Sequence, residues 1–288
     1  MQYSRIRKIL DINQLRKKTV TIVGLGSLGS FTALLLAKNG VNLNLIDFDK
    51  VSVENLSSQL YSRKDLKKYK ARALSKYLKR INPEIKIKSI NTRLTSSNLK
   101  LLDSDLVIDC TDNLETRFLI DSYVQKPWIH TAAVKTVGLV YVVRNSLSDL
   151  YNARVSEDSC EQHGILNTAA NMIASIAATQ AIKILLEKDY ERDLIRFDIW
   201  SNSFDRIKVK PRKHSKPVII KLCKNNYSVN INKKISLDSL SKRYITILRN
   251  ENLIIIKSEN TKIIINSKGY IIFEDSNKEF IEKWLKSL

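Results

Sequence analysis

Residues 19–56 read "TVTIVGLGSLGSFTALLLAKNGVNLNLIDFDKVSVENL", and the order of residue types in this stretch decides the fold. Thr19 to Gly24 is a β-branched apolar run closed by glycine, the pattern of a strand buried in a parallel sheet. Ser27 to Asn39 follows as a helix, Gly40 stops it, and Asn42 to Ile46 is a second strand. Gly24, Gly26 and Gly29 then lie between strand and helix, where backbone N–H groups approach a phosphate at the helix N-terminus. Asp47 comes 23 residues after Gly24, about where an acid that binds ribose belongs. On this loop alone an NAD-dependent dehydrogenase and an ATP-using enzyme are served equally.

Working outward, Asp65 to Arg80 carries Leu66, Tyr69, Ala73, Tyr77 and Leu78 at a helical period, and Asn82-Pro83 ends it. Strands are expected at Ile85 to Ile90, Leu106 to Asp109, Trp128 to Thr131 and Gly138 to Val143. Ile165 to Leu186 reads as a long buried helix, because Asn167, Thr168, Asn171, Gln180 and Lys183 would be costly in lipid. Strands alternating with helices imply an α/β fold with a doubly wound, Rossmann-like, mostly parallel sheet. At "KPRKHSKP" (residues 210–217) the character changes. Beyond it come short strand-like runs at Val218 to Leu222, Leu253 to Lys257 and Lys262 to Asn266, flanked by helices at Ser236 to Lys242 and Asn277 to Leu285. A small C-terminal α+β domain is expected, with the chain divided into residues 1–212 and 213–288.

Composition narrows the function classes. The chain has 288 residues, 43% hydrophobic and 27% charged, as in a folded globular protein rather than a disordered one. The start "MQYSRIRKIL" has neither an apolar core nor a small-residue cleavage site, so the expected place is the cytoplasm, away from membranes. Cys110, Cys160 and Cys223 are too scattered for a disulfide framework. With His130, His163 and His214 they build no zinc site of trusted spacing. The formal charge of +20, from 49 Lys and Arg against 29 Asp and Glu, attracts polyanions or acidic partners. Most of Lys64, Lys67, Lys68 and Lys70 read as a solvated helix face, and no basic stripe interleaved with aromatics stands out.

Residues beyond the glycine loop discriminate between the nucleotide chemistries. "LIDFDKVSVENL" (45–56) sets Asp49 and Asn55 just past the strand, and "VIDCTDNLETRF" (107–118) ends a later strand with Asp112, Asn113 and Arg117. With Lys70 upstream of "RINP" and Cys160 ahead of a small-residue helix, residues 3 to about 209 resemble the ThiF/MoeB/HesA family of ubiquitin-activating-type adenylyltransferases. The resemblance implies ATP-dependent adenylation of the C-terminal glycine of a ThiS-, MoaD- or Urm-like protein, for sulfur transfer or conjugation. It also implies that Asp47 holds the ribose, Lys70 contacts phosphate, Asp112 binds Mg²⁺, Asn55 orients phosphates and Cys160 takes part in thioester or persulfide chemistry with a possible sulfur donor. Arg117 either supports the Asp112 loop or contacts nucleotide, and Asp109 and Asn113 brace that loop. "YSRIRK" sets Arg5 where the family has an arginine finger that enters a neighbouring protomer, which implies a homodimer.

Two departures stand out. The family's N-L-x-R-Q is "NLSSQ" here, so Ser58 replaces a phosphate-binding arginine. The two CxxC pairs that hold zinc in many relatives are absent, so ATP and Mg²⁺ are expected and zinc is not. Alternatives are an adenylating tRNA-modifying enzyme resembling threonylcarbamoyl-adenosine dehydratase, with tRNA as partner, and a non-catalytic partner subunit. "VIIKLCKNNYSVNI", "SLDSLSKRY" and "GYIIFED" resemble a small accessory domain of some prokaryotic members.

Overall fold

The first sheet is built from the buried runs of the sequence. The computed structural model describes residues 2–150, 164–209, 218–221, 225–231, 233–249, 253–267 and 269–288. Its strands are β1 (Thr19–Val23), β2 (Asn42–Ile46), β3 (Ile87–Ile90), β4 (Leu106–Asp109), β5 (Trp128–Val134), β6 (Val137–Val143), β7 (Leu194–Asp198) and β8 (Ser203–Ile207). They lie in the order β3-β2-β1-β4-β5-β6-β7-β8. The first five pair in parallel, and β6, β7 and β8 add on antiparallel.

Alternation along the strands feeds two cores. Val20 and Ile22 of β1 join one apolar cluster, with α1 (Ile12–Leu15), α2 (Ser27–Lys38), α3 (Lys70–Ile81) and α5 (Asn167–Leu185). Val23 faces the other cluster, with Phe118, Leu119 and Ile120 of α4 (Leu114–Tyr123). The expected doubly wound α/β architecture is therefore present. The chain leaves β1 for β2 on one side, while β4 adjoins it on the other, and a reversal of this kind is where ligands bind in doubly wound sheets, at the strands' C-terminal ends.

Helix α3 begins at Lys70, not at Asp65. Asp65 instead closes a 3-10 turn at Arg63–Asp65, its carboxylate accepting from the Ser62 hydroxyl at 2.6 Å and amide at 3.1 Å. Lys67 then takes a left-handed φ of 65°, which breaks the helical path. Among the described residues no helix is long and apolar enough to cross a membrane.

The second sheet holds β9 (Val218–Lys221), β10 (Tyr227–Asn230), β11 (Ile245–Arg249), β12 (Leu253–Ser258), β13 (Thr261–Asn266) and β14 (Tyr270–Glu274), in the order β11-β12-β13-β14-β10-β9. It is antiparallel throughout. One face packs Ile254, Ile256, Ile263 and Ile265 against α6 (Leu237–Arg243) and α7 (Lys278–Lys286). The other sets Leu253, Ile255, Ile264 and Ile272 in one core with Phe118, Leu119 and Trp128 of the first sheet's layer. Burial on both faces explains why these strands read as continuous apolar runs. Asn266, fully buried, donates its amide to the Ser122 carbonyl of α4 at 2.5 Å. The boundary expected at 212/213 lies outside the described residues.

Candidate nucleotide site

Glycine is required where the loop after β1 meets its neighbours. Gly24 has φ 85°, and a Cβ there would stand 2.7 Å from the Cys110 carbonyl oxygen. A Cβ on Gly29 would stand 1.9 Å from the Gly24 carbonyl oxygen, so α2 starts directly against the loop. Gly26, the N-cap residue of α2, has more room: its nearest neighbour is the Gln59 Nε2, 3.9 Å from such a Cβ. The first amides of α2 are consequently presented to the crevice, the usual setting for an anion.

Asp47 closes the loop from β2. One carboxylate oxygen accepts from the Leu25 amide at 2.7 Å, the other from the Asp49 amide at 2.8 Å. Two amides leave acceptor capacity for a ligand, since a carboxylate offers about four lone-pair sites. Burial pushes the Asp47 carboxyl above its ordinary value, against the opposing pull of the Asp49 amide, the Lys70 charge and the Leu25 amide. Tyr61, buried below, donates its hydroxyl to the Leu25 carbonyl at 2.8 Å. Asp49 is half exposed and pairs with Lys70 at 3.2 Å. The Lys70 side chain is only 10% exposed, so its ammonium is held at the mouth of the site by one carboxylate.

Asn55 sits in a 3-10 turn at Glu54–Ser57, where its Oδ1 accepts from the Ser52 amide at 3.0 Å. Ser58 receives a hydrogen bond from the Ser27 hydroxyl at 3.0 Å, so a neutral hydroxyl pair stands at the start of α2 in place of a guanidinium. Asn167, at the start of α5, donates to the Ser57 carbonyl at 3.3 Å.

The third wall comes from β4. Asp109 is fully buried, yet its carboxyl is held below the ordinary value: burial raises it, but the His130 hydrogen bond, the Arg117 charge and the Thr111 hydroxyl outweigh burial. His130 Nδ1 lies 2.8 Å from Asp109, and Arg117 Nε lies 3.4 Å from the same oxygen. Burial pushes His130 below its ordinary value, which leaves the ring neutral with Nδ1–H donating. Arg117 also donates to the Thr111 carbonyl at 2.5 Å. Asn113 caps α4, its side chain accepting from the Thr116 amide at 2.8 Å. Between these fixed residues Asp112 is exposed and forms no hydrogen bond or ion pair with another described residue. A single free carboxylate suits Mg²⁺, which is commonly held by one or two carboxylates plus substrate phosphates. Among the described residues no group of three or more His, Cys, Asp or Glu could hold a metal by itself.

The structure thus brings the glycine loop, Asp47, Asp49, Lys70, Asp112, Asn113 and Arg117 to the C-terminal ends of β1, β2 and β4. Arg5 is elsewhere. It is exposed near Tyr3, whose hydroxyl takes a hydrogen bond from Asn82 at 2.6 Å beside Gly40, at the far end of α2. Twelve helical residues separate that end from the loop by about 18 Å. Cys160 and His163 lie outside the described residues. Cys110 is buried, and burial pushes its thiol up to about 12, so it is no thiolate nucleophile.

Two contributors escape a reading of the sequence. Gln59 has a buried Oε1 with no hydrogen-bond partner among the described residues, beside Gly26. Its place after "NLSS" is the only signal. Phe48, between the two acids, lies under the Arg93 guanidinium at 3.9 Å, a pair joined only by the fold.

The chain resembles known proteins in sequence and in fold. The ThiF family matches residues 3–218. The sulfur carrier protein ThiS adenylyltransferase of Bacillus subtilis is 26% identical over 94% of this chain and 94% of its own length. The molybdopterin-synthase adenylyltransferase of Haemophilus influenzae is 34% identical, covering 73% of this chain and 94% of its own. In fold, the crystal structure of E. coli MccB with MccA-N7isoASN superposes with a TM-score of 0.65 at 17% identity, over 74% of this chain and 73% of the other. The chain belongs to the ThiF family, and it is an adenylyltransferase.

Proposed function

We propose that the protein uses ATP to adenylate the C-terminal glycine of a small ubiquitin-like protein of the ThiS, MoaD or Urm kind. The observation that carries this reading is the convergence of three groups on one crevice: the amide-lined loop at α2, the Lys70 ammonium and the free Asp112 carboxylate. Support also comes from two relatives whose names specify ThiS and molybdopterin synthase.

In the proposed reaction a glycine carboxylate oxygen forms a bond to the α-phosphorus of ATP. The bond to the β-phosphate bridging oxygen breaks, pyrophosphate departs with the electron pair, and an acyl–AMP anhydride remains. The α2 amides and Lys70 hold the triphosphate, which must be neutralised before a second anion can approach. Asp47 takes the ribose hydroxyls with the acceptor capacity its two amide bonds leave, and Asn55 steadies the phosphates. Asp112 would hold Mg²⁺, which supplies further charge neutralisation when bound. Arg117 and Asn113 fix the Asp112 turn.

Arg5, anchored at the far end of α2, serves a second protomer's site, so the working enzyme is a homodimer. Cys160 takes part in thioester or persulfide chemistry after adenylation; in the thioester route its sulfur bonds to the carrier's acyl carbon as the bond to AMP breaks and AMP departs. Residues 1–212 form the adenylating domain and 213–288 the accessory domain, and the enzyme works in the cytoplasm. Pyrophosphate exchange into ATP tests the reading: exchange should need a carrier protein with an intact C-terminal glycine and should fall at least about 100-fold in Asp112→Asn. No exchange with any such carrier, magnesium being present, would overturn it.

One observation favours a second reading, adenylation within tRNA. Residues 63–100 hold thirteen Lys and Arg against two acids, and all of those bases except Lys70 are exposed. ATP-dependent modification of tRNA without a carrier would support it.

A further inference from the structure

We infer that His130 is a positioning residue for Asp112, acting through Asp109 across two neighbouring strands; the inference rests on the nucleotide reading above. Asp109 and His130 are register partners of β4 and β5, so the sheet itself sets the carboxylate and imidazole side by side. The ring meets Trp128, two residues earlier on the same face, edge-on at 6.3 Å. Its Nδ1–H is thereby aimed at one oxygen of Asp109 at 2.8 Å.

That bond decides what the other oxygen can do. With Oδ2 taken by His130, Oδ1 accepts both the Thr111 amide at 2.9 Å and the Thr111 hydroxyl at 2.6 Å. The Asp109 carbonyl accepts from the Thr131 hydroxyl at 2.7 Å, which locks the strand end to β5 a second time. Arg117 reaches past Asp109 to the Thr111 carbonyl. Thr111 is therefore held at its amide, carbonyl and side chain, and Asn113 is held as the cap of α4. Asp112 lies between them with its backbone fixed on both sides and its carboxylate free.

The turn also touches the phosphate loop, because Gly24 packs on the Cys110 carbonyl with no room for a Cβ. The distance between the loop's amides and the Asp112 carboxylate is thus set by the Asp109 cluster. Without the imidazole N–H as a donor to Oδ2, Arg117 Nε, 3.4 Å away, is the cation left to close on that oxygen. A closer Arg117–Asp109 pair would pull the guanidinium from the Thr111 carbonyl and release the turn. His130 adds nothing to the reacting atoms; it keeps Arg117 in a bridging position.

Calorimetric titration with a non-hydrolysable ATP analogue, with and without magnesium, tests this on the intact protein. In His130→Leu the gain in affinity that magnesium gives should shrink by roughly 10- to 100-fold, with magnesium-free affinity unchanged. His130→Asn, whose amide retains a donor at the Nδ1 position, should restore it. Thr111→Val, at a half-exposed position, should show the same magnesium-specific loss even where His130→Leu does not fold. Wild-type magnesium response in either folded variant would overturn the inference. Failure of the wild-type protein to bind the analogue at all would instead overturn the nucleotide reading beneath it.

Discussion

Replacing Gly29 with alanine tests how closely α2 must approach the loop. The added Cβ would stand 1.9 Å from the Gly24 carbonyl oxygen, 2.9 Å from its carbon and 3.3 Å from the Cys110 Cβ. The first two are backbone atoms, so no side-chain rotation relieves the contact. Alanine gains about 0.8–1 kcal/mol over glycine inside a helix. Against this, overpacking costs about 1–3 kcal/mol, and relief here needs the helix to retreat by more than about 1 Å. That retreat opposes the burial of Leu28, Ala33, Leu36 and Ala37 on the same helix. The clash outweighs the gain, leaving a net loss of up to about 2 kcal/mol, or up to roughly 8 °C in Tm for a domain of this size. The retreat also draws the α2 amides away from the phosphates, so nucleotide affinity should fall at least about tenfold, the equivalent of 1.4 kcal/mol. Thermal unfolding and calorimetry with an ATP analogue read both effects. A Gly29→Ala protein with raised Tm and undiminished affinity would refute the close-approach argument.

Three further outcomes follow from the same structure. Lys70→Met should leave stability within about 1 kcal/mol, because Asp49 is half exposed and remains solvated. Losing a charge-assisted contact of about 1.5–3 kcal/mol should weaken ATP binding roughly 10- to 100-fold, as calorimetry would show. Ile264→Ala, at a fully buried position in the core shared by the two sheets, should cost about 2–5 kcal/mol in urea unfolding. A loss under 1 kcal/mol would mean that the second sheet does not share that core. Buried His130 must take up a proton when the chain unfolds in acid. The unfolded state then binds more protons, so stability should decline as pH falls below about 6.5. Asp109, held below its ordinary value, adds stability that is lost only at lower pH, below about 4. Urea unfolding from pH 7.5 to 5.0 should be flatter in His130→Asn than in the wild type.

Strands β2 and β4 were legible to the residue, because β4 is a short apolar run buried throughout and β2 alternates half-buried asparagines with buried leucines. Helix α3 was misplaced at its start: Leu66 and Tyr69 keep the helical period, while Ser62, Asp65 and the left-handed Lys67 end one turn before the helix begins. Helix α4 went unread. "LETRFLIDSY" buries Thr116, Arg117, Asp121 and Ser122 along with its apolar residues, so no amphipathic stripe marks it. Strand β8 is a sheet edge with an exposed "FDRI", which lacks the contrast that alternation needs.

At the site, the glycines and acids were legible because backbone geometry and charge impose them at fixed spacings. His130 was not. One histidine in "WIHTAAV" reads as an ordinary strand residue, and only the β4–β5 register sets it beside Asp109. The Phe48–Arg93 pair is likewise a product of the fold, since 45 residues separate the two in sequence.

A crystal structure with a non-hydrolysable ATP analogue and magnesium tests the central claim most directly. The account predicts the triphosphate against the Gly24–Gly29 loop and α2 amides, the ribose at Asp47, and the metal between the phosphates and Asp112. Nucleotide bound away from the ends of β1, β2 and β4, or an Asp112 carboxylate turned from the phosphates, would contradict it.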